Sequence, residues 1–436
     1  MKIILLISIF LSAFWGYGQN IEKETLVRLP EDISKIDEIQ LSQIADQLGD
    51  ARIIGTTERI HGYKEPFIFR NELIKYLVGA KQIDVILLES GLLESRYLND
   101  YIHQKQSSLD LVRLNGFSSG KQTIPENIEI LEWLRNYNSD PKNLHKVDIY
   151  GFDISGSMGA GTSRSEMNTP IKTLVSYLEK ASFDRDTNLI EKLKPLTDSL
   201  KIKPFAPNQE NLPTYDKLNR GTRNEVTSIL NDLIANLEIY RFEYIANTSQ
   251  EEYDWAYIAA ISARNIDNVL RKLPLPGEIM TPEKIDDSFF ARLNGMVQNV
   301  EYLLNRNPEA KFFIFAASNH LFKHPFETYW PGSQEGVSLP ITVGTYLASQ
   351  YPSDYKLVGH FYLNAENEKN NLKEDPAIFS NHLVNNSKNY FIPVMDLNKL
   401  NIDEKMKIDQ GAYIIPSKSF DYILFTENIT EHQRRK

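Results

Sequence analysis

Residues 51–62 read ARIIGTTERIHG, and this stretch decides the fold that we expect. Its first half is apolar at both odd and even positions, which is typical of a strand buried on both faces. The run ends in ionisable side chains, Glu58 and His61, followed by Gly62, which permits a sharp turn. Such a pattern is expected where the carboxyl end of a parallel strand meets a ligand.

The same pattern recurs three more times along the chain. The runs are IDVILL (83–88) before Glu89, KVDIYGF (146–152) before Asp153, and KFFIFAA (311–317) before Ser318-Asn319-His320. Helical patterns at 66–77, 91–102 and 124–137 lie between the strands, and this alternation favours βαβ units. We therefore predict an α/β fold with a central, mostly parallel sheet covered by helices. Its carboxyl edge should collect the ionisable residues that follow each strand.

Residues 155–275 are predicted to form a helical insertion lobe over that edge. The stretch opens with a Gly/Ser-rich loop, SGSMGAGTS (155–163). Helical patterns then follow at 171–178, 184–200, 223–244 and 251–273. Downstream, 341–350 reads as a helix, and 354–363 and 421–428 read as strands. We expect residues 20–436 to form one α/β domain that includes the lobe.

The amino-terminal segment has the pattern of a secretory signal peptide. Met1 and Lys2 precede an apolar run from Ile3 to Trp15, which is too short to span a bilayer, and small residues follow it. We predict a signal peptide over residues 1–19 and an exported protein, in the periplasm or outside the cell. No later run is apolar enough to predict stable membrane insertion.

Composition excludes several classes of function. The net charge is −10, and basic residues cluster only at the last three positions, so nucleic acid is not an expected partner. The chain contains no cysteine, which rules out disulfides and a thiolate nucleophile. The GxSxG, HExxH and GxxxxGK[ST] motifs are also missing from the sequence. The sequence does not indicate an oligomeric state.

The residues that could carry chemistry are the strand-end groups. Glu58 lies three residues before His61, so its carboxylate can orient the imidazole and stabilise the imidazolium. Glu89 follows a buried run and needs a cation, for which Arg96 is one choice and Arg292 another. His320 closes the last apolar run and is the second histidine of interest.

A predicted helix adds further groups on one face. Arg292, Met296 and Asn299 follow the i, i+4, i+7 spacing of a single helix face. Arg292 could pair with Glu89 or stabilise an oxyanion. Asp153 could bind a ligand or cap a helix.

Together these motifs resemble the erythromycin esterase family. The matching segments are TERIHG at 57–62, the acidic Glu65, LLESG at 87–91, GFD at 151–153, the Arg292–Met296–Asn299 helix and the strand from Phe313 to His320. The resemblance extends from about residue 34 to residue 430. Thr57, Leu293 and Ala317 depart from the family pattern.

The resemblance implies hydrolysis of a macrocyclic lactone ester without a metal or other cofactor. It assigns the role of general base to His61 and places Glu89 and His320 in the same site. Glu58 and Arg292 complete the catalytic group, and Asp153, Glu65 and Asn299 are expected to bind the small-molecule ester. Two alternatives stay open: a metal-dependent hydrolase built on the same His/Glu cluster, and a non-catalytic haem- or ligand-binding protein of related fold.

Overall fold

The computed structural model describes most of the chain. The described residues are 25–80, 82–118, 121–155, 169–198, 215, 218–272, 274–279, 281–328, 337–339, 341–367, 377–385, 387–397, 400–408 and 412–433. The predicted signal peptide (1–19) and all but the first residue of the Gly/Ser-rich loop at 155–163 lie outside these ranges.

Twelve strands occur within the described ranges. They are β1 (Val27–Leu29), β2 (Ile53–Glu58), β3 (Val85–Gly91), β4 (Asp148–Asp153), β5 (Phe312–Ala317), β6 (Phe326–Thr328), β7 (Val337–Leu339), β8 (Tyr355–Ala365), β9 (Asn389–Pro393), β10 (Met406–Lys407), β11 (Tyr413–Ile414) and β12 (Tyr422–Ile429).

The same ranges contain fifteen α-helices. They are α1 (Glu38–Leu48), α2 (Glu65–Gly79), α3 (Ser95–Ile102), α4 (Leu109–Asn115), α5 (Pro125–Ser139), α6 (Thr169–Ala181), α7 (Thr187–Leu193), α8 (Arg220–Ile239), α9 (Arg241–Asn247), α10 (Gln250–Leu270), α11 (Pro282–Arg306), α12 (Ser318–Leu321), α13 (Val343–Gln350), α14 (Phe379–His382) and α15 (Pro416–Ser419).

Eight of the strands form the central sheet, in the order β1-β9-β12-β8-β2-β5-β3-β4. The strands from β12 to β4 all pair in parallel, whereas β9 and β1 add antiparallel at one side. A smaller antiparallel sheet has the order β10-β11-β6-β7. The predicted α/β fold with a mostly parallel sheet is confirmed.

The sheet is stable because both of its faces are covered. Neighbouring residues of one strand point to opposite faces, so Ile86 joins one apolar cluster and Leu87 the other. The first cluster also contains Leu73 of α2. The second extends to Leu174 of α6 and Ile258 of α10. The strand sequences are apolar at both odd and even positions because each strand is buried between two layers of helices.

The range 155–275 is helical wherever the structure describes it, apart from short turns. One helix was expected at 184–200, but α7 is only seven residues long, with 3-10 turns at Asp184–Asp186 and Lys194–Asp198. Pro195, which has no N–H to donate, explains why the α-helix ends there. Since α6 and α10 share a core with the sheet, these helices pack on its face. The limits of the lobe remain a prediction.

No helix in the described part of the chain is long and apolar enough to cross a membrane.

A close approach between α12 and α13 should be essential for stability. A Cβ at Gly344 of α13 would lie 1.9 Å from the backbone oxygen of Leu321. We expect Gly344→Ala to lower the free energy of unfolding by about 1–3 kcal/mol, since backbone must move. Gly79→Ala is the control, because a Cβ added there would have no neighbouring atom within 4 Å, and it should change stability by less than about 1 kcal/mol. Guanidinium unfolding measures both, and equal effects would contradict this packing.

Candidate active site

Four neighbouring strands bring the candidate residues to one edge of the sheet. The strands β2, β5, β3 and β4 lie side by side and run in parallel. Glu58 pairs in register with Ala317, and Gly91 pairs with Asp153, so these strands end at the same level. The edge therefore carries Glu58, Glu89 and Asp153, with His320 just beyond β5.

His61 lies on the turn after β2 and is held by Glu58. Its Nδ1 is 2.9 Å from Glu58 Oε1. The Glu58 side chain is 1% exposed, whereas that of His61 is 63% exposed. Gly62 follows with φ of +107°, a conformation that favours glycine and turns the chain away from the strand. The hydrogen bond to Glu58, supported by its negative charge, raises the pKa of His61 above its usual 6.5.

Glu89 is buried and surrounded by hydrogen-bond donors and positive charge. Its Oε2 accepts a hydrogen bond from the backbone N–H of Ala317 at 2.8 Å. Burial alone would raise the pKa of Glu89, but neighbouring cations, Lys121 foremost, hold it well below its usual range. Arg96, one partner considered from the sequence, lies instead 3.7 Å from Asp100. Ala317 contributes only its backbone N–H to this hydrogen bond. The bond is therefore unaffected by the alanine side chain, which departs from the family pattern at this position.

Lys121 is a member of the site that the sequence analysis missed. It begins a short 3-10 helix, Lys121–Thr123, ahead of α5. Its Nζ lies 3.4 Å from Glu89 Oε2 and 3.8 Å from Glu58 Oε1. The Lys121 side chain is only 11% exposed, so its charge acts inside the protein.

Arg292 binds Asp153 most closely and also lies beside Glu89, the partner expected from the sequence. Its Nε and Nη2 donate to the two oxygens of Asp153 at 3.0 and 2.6 Å, in a bidentate arrangement. Glu89 Oε1 is farther away, at 3.7 Å from Nη2. Although burial acts in the opposite direction, Asp153 raises the pKa of Arg292. Asn299, on the same helix, donates to the backbone oxygens of Phe152 and Asp153 at 3.1 Å each.

Asn299 and Asp153 were predicted to bind substrate, and the structure places both beside the cluster. The Asn299 side chain is buried and holds the end of β4. Asp153 Oδ1 also accepts from the Ile154 N–H at 2.8 Å. Asp153 therefore anchors Arg292, and Asn299 ties α11 to the end of β4, while direct contact of either residue with a substrate stays a prediction.

His320 lies on the one-turn helix α12, not at the end of β5 as the sequence suggested. Its Nε2 is 3.6 Å from Glu89 Oε1. Burial of the imidazole lowers the pKa of His320 to about 4, so the ring is neutral at pH 7. Among the described residues, neither His320 Nδ1 nor Glu58 Oε2 has a hydrogen-bond partner, although both atoms are buried. Such atoms are typical of groups that bind a substrate or a water.

Glu65 is not part of this cluster. Its carboxylate accepts from the backbone N–H and the hydroxyl of Thr430, at 2.7 and 2.6 Å. The adjacent backbone is paired as well: Lys64 N–H donates to Thr430 at 3.0 Å, and His432 N–H donates to Gly62 at 2.9 Å. We name residues 430–432 the C-terminal clasp. The clasp fixes the turn that carries His61, and no local sequence pattern predicts this role.

A buried arginine supports the backbone at Lys121. Arg70 of α2 donates to Asn127 Oδ1 at 2.9 Å, and Asn127 Nδ2 donates to the backbone oxygen of Lys121 at 3.0 Å. The guanidinium group of Arg70 also stacks over the rings of Phe67 and Phe315. Burial lowers the pKa of Arg70 to about 10, which still leaves it charged at neutral pH.

The donor atoms of Glu58, His61 and Glu89 lie within 4.8 Å of one another, a spacing that could hold a metal ion. The ammonium group of Lys121, however, already lies against both carboxylates. A divalent cation would have to share this space with a positive charge. The residues present therefore fit a metal ion poorly.

A separate cavity of about 360 Å³ lies between α6, α10 and the start of α3. It is lined by Arg96, Lys172, Thr173, Ser176, Tyr177, Lys180, Glu252 and Ala256. None of the clustered carboxylates or histidines lines it, and Lys180 is paired with Glu252. The concentration of buried charge is at the strand edge, and we place the candidate active site there.

The fold and the site together define an α/β protein with a histidine–carboxylate centre at the carboxyl ends of its strands. The sequence model of the family described as Erythromycin esterase matches residues 78–374, well over half of the chain. The chain belongs to the erythromycin esterase family, as its motifs predicted. Membership indicates hydrolase activity on a small molecule.

Two characterised relatives are erythromycin esterases of Escherichia coli. The type I enzyme is 21% identical over 329 residues, which cover 76% of this chain and 74% of the relative. The type II enzyme is 28% identical over 115 residues, 26% of each chain.

Solved structures show the same fold. A Bacillus cereus protein superposes with a TM-score of 0.71 at 18% identity, over 94% of this chain and 97% of the other. A mutant of the erythromycin esterase EreC in its open conformation gives 0.69 at 16%, over 93% and 98%. A succinoglycan biosynthesis protein gives 0.67 at 17%, over 94% and 95%. At these identities the comparisons establish the fold alone.

The Glu58–His61 pair should be visible in the titration of His61. We expect the imidazole to titrate above pH 6.5 and Glu58→Gln to lower this pKa, because the raised value comes from that carboxylate. Because the pKa of His61 is raised on folding, its pair with Glu58 stabilises the folded state. This contribution to the free energy of unfolding is fully present below the unfolded-state pKa of His61 and is lost as the pH rises through its folded-state pKa. NMR of the imidazole resonances against pH measures both, with His61→Gln for assignment. An unchanged titration in Glu58→Gln would contradict the pairing.

The C-terminal clasp yields a second expectation. Glu65→Gln should lower the free energy of unfolding by about 1–3 kcal/mol, since the amide loses the charge-assisted bonds to Thr430. Glu72→Gln, on an outer turn of the same helix, is the control, and its loss should stay below about 1 kcal/mol. Guanidinium unfolding compares the two. A raised KM with unchanged stability would instead support the substrate contact predicted from the sequence.

Proposed function

We propose that this protein hydrolyses a carboxylic ester with a water molecule that His61 activates. The observation that carries the proposal is the Glu58–His61 hydrogen bond at the strand edge, with an exposed ring on a buried carboxylate. Because Nδ1 faces Glu58, the proton is assigned to Nδ1, and Nε2 is left as the acceptor. A general base in this arrangement raises the rate roughly 10²–10⁴-fold.

The reaction proceeds without a covalent intermediate. His61 Nε2 takes a proton from water while the water oxygen attacks the ester carbonyl carbon, and a tetrahedral oxyanion forms. The carbon–oxygen bond to the alcohol then breaks, and the proton on Nε2 passes to the departing alkoxide. Glu58 stabilises the imidazolium between these two steps.

The other side of the cluster stabilises the oxyanion. Arg292 is held rigidly by Asp153, and its charge lies at the edge where the carbonyl oxygen would be placed. One preorganised group of this kind is worth roughly 10²–10³ in rate. His320 is neutral, and Glu89 beside Nε2 favours a proton on that atom, which leaves Nδ1 to accept a hydrogen bond from water or substrate.

We favour a metal-independent reaction. The support is the position of Lys121, whose ammonium group already lies against Glu58 and Glu89, where a divalent cation would bind. A macrocyclic lactone is the substrate class that the family relatives suggest, and macrolide inactivation by an exported enzyme is the corresponding biological role.

Alanine at His61 should abolish hydrolysis and leave the fold intact. The expected fall in kcat is on the order of 10²–10⁴-fold, because the general base is lost. The fold should be unaffected, because the His61 ring is exposed. The assay uses EDTA-treated protein against macrolides of different ring size and a panel of simple esters. His324→Ala, outside the cluster, is the matched control and should keep wild-type activity.

Activity of His61→Ala close to the wild-type value would contradict the assignment of the base. Hydrolysis that appears only after Zn²⁺ or Mn²⁺ is added would contradict metal independence.

A further inference from the structure

Lys121 is buried against two carboxylates that belong to different strands. Its Nζ contacts Glu89 Oε2 at 3.4 Å and Glu58 Oε1 at 3.8 Å. Glu58 in turn binds His61, and Glu89 lies beside His320 and Arg292. The ammonium group is therefore the link between the two halves of the site.

The loop that carries Lys121 is fixed by hydrogen bonds to the end of β3. Ser118 N–H donates to Ser90 Oγ at 2.9 Å, and Gly91 N–H donates to Ser118 Oγ at 3.0 Å. On the other side, Asn127 holds the backbone oxygen of Lys121 at 3.0 Å. Both serines and Asn127 are buried. These bonds hold Lys121 at its place beside β3, whereas a surface lysine would be free to leave.

The two glutamates require such a cation. Ionised carboxylates removed from water are costly unless a nearby positive charge compensates them. Glu58 is 1% exposed and Glu89 6% exposed. Proteins commonly bring two carboxylates and a histidine this close around a divalent metal ion. In this chain, an ammonium group lies against the same carboxylates.

We propose that Lys121 is a positioning residue of the active site, a built-in cation that holds Glu58 and Glu89 where a divalent metal ion would otherwise hold them. Its role in catalysis rests on the proposed ester hydrolysis. An ammonium group compensates charge but has no vacant orbital to polarise a bound water. Activation of water consequently stays with His61, and Lys121 acts through the two glutamates.

The test compares Lys121→Met, which removes the charge at similar length, with the wild-type full chain. We expect kcat to fall on the order of 100-fold with little change in KM, because a preorganised charge is lost without a substrate contact. We also expect EDTA-treated Lys121→Met to bind Zn²⁺ at least about 10-fold more tightly than the wild type, measured by calorimetry. A purely structural role for Lys121 would not produce this gain.

Two matched variants complete the experiment. Lys121→Arg keeps the charge with a different shape and should retain about a tenth of kcat without the gain in Zn²⁺ affinity. Lys142→Met, on the exposed surface, should behave as the wild type. If Lys121→Met melts far below the wild type, Lys121→Gln decides by the same two measurements.

Wild-type kcat in Lys121→Met would overturn the proposal, and so would equal Zn²⁺ affinity in the wild type and the variant. The Zn²⁺ measurement needs no substrate. A chain that hydrolyses none of the esters would overturn the proposed function, and the cation role would still be tested by the Zn²⁺ binding.

Discussion

The active-site architecture depends on keeping two buried carboxylates, Glu58 and Glu89, charged at the edge of one sheet. Each is almost completely removed from solvent, so each needs positive charge beside it. The contacts form a row in which basic and acidic side chains alternate. It begins at the exposed imidazole of His61 and ends at the buried carboxylate of Asp153. The row runs from His61 to Glu58, Lys121, Glu89, Arg292 and Asp153. Because each member compensates its neighbours, loss of one charge leaves another uncompensated.

The fold supplies this row through parallel register. Strands that run in the same direction end at one edge, where β2, β3 and β4 each place a carboxylate and His320 follows just beyond β5. The loops then fix the remaining members: the C-terminal clasp binds the turn after β2, and the Ser90–Ser118 pair binds the loop of Lys121. The sheet thus decides which residues meet, and the loops decide how accurately they meet.

The strands could be predicted because a strand that is buried on both faces is apolar at every position. In KFFIFAA, for example, consecutive residues from Phe312 to Ala316 belong alternately to the two apolar clusters. The burial of Lys121 could not be predicted, since a lysine in a polar loop is ordinarily solvated and the hydrogen bond between Ser90 and Ser118 beside it joins residues that are distant in sequence. The contact made by Glu65 could not be predicted for a different reason. Glu65 is four residues from His61, yet its partner, Thr430, is distant in sequence. Arg292 was placed on the correct helix, but only the register of β4 reveals that Asp153 is nearer than Glu89.

The charge count explains how such a cluster can favour a transition state. With His61 neutral, the carboxylates of Glu58, Glu89 and Asp153 outnumber the two fixed cations, Lys121 and Arg292, while His320 carries no charge. A proton taken up by His61 brings the row into balance. In the proposed mechanism, the imidazolium that forms during attack by water is therefore better matched to its surroundings than the neutral ring. The oxyanion of the proposed mechanism lies beside Arg292, so both developing charges gain more than the ground state does.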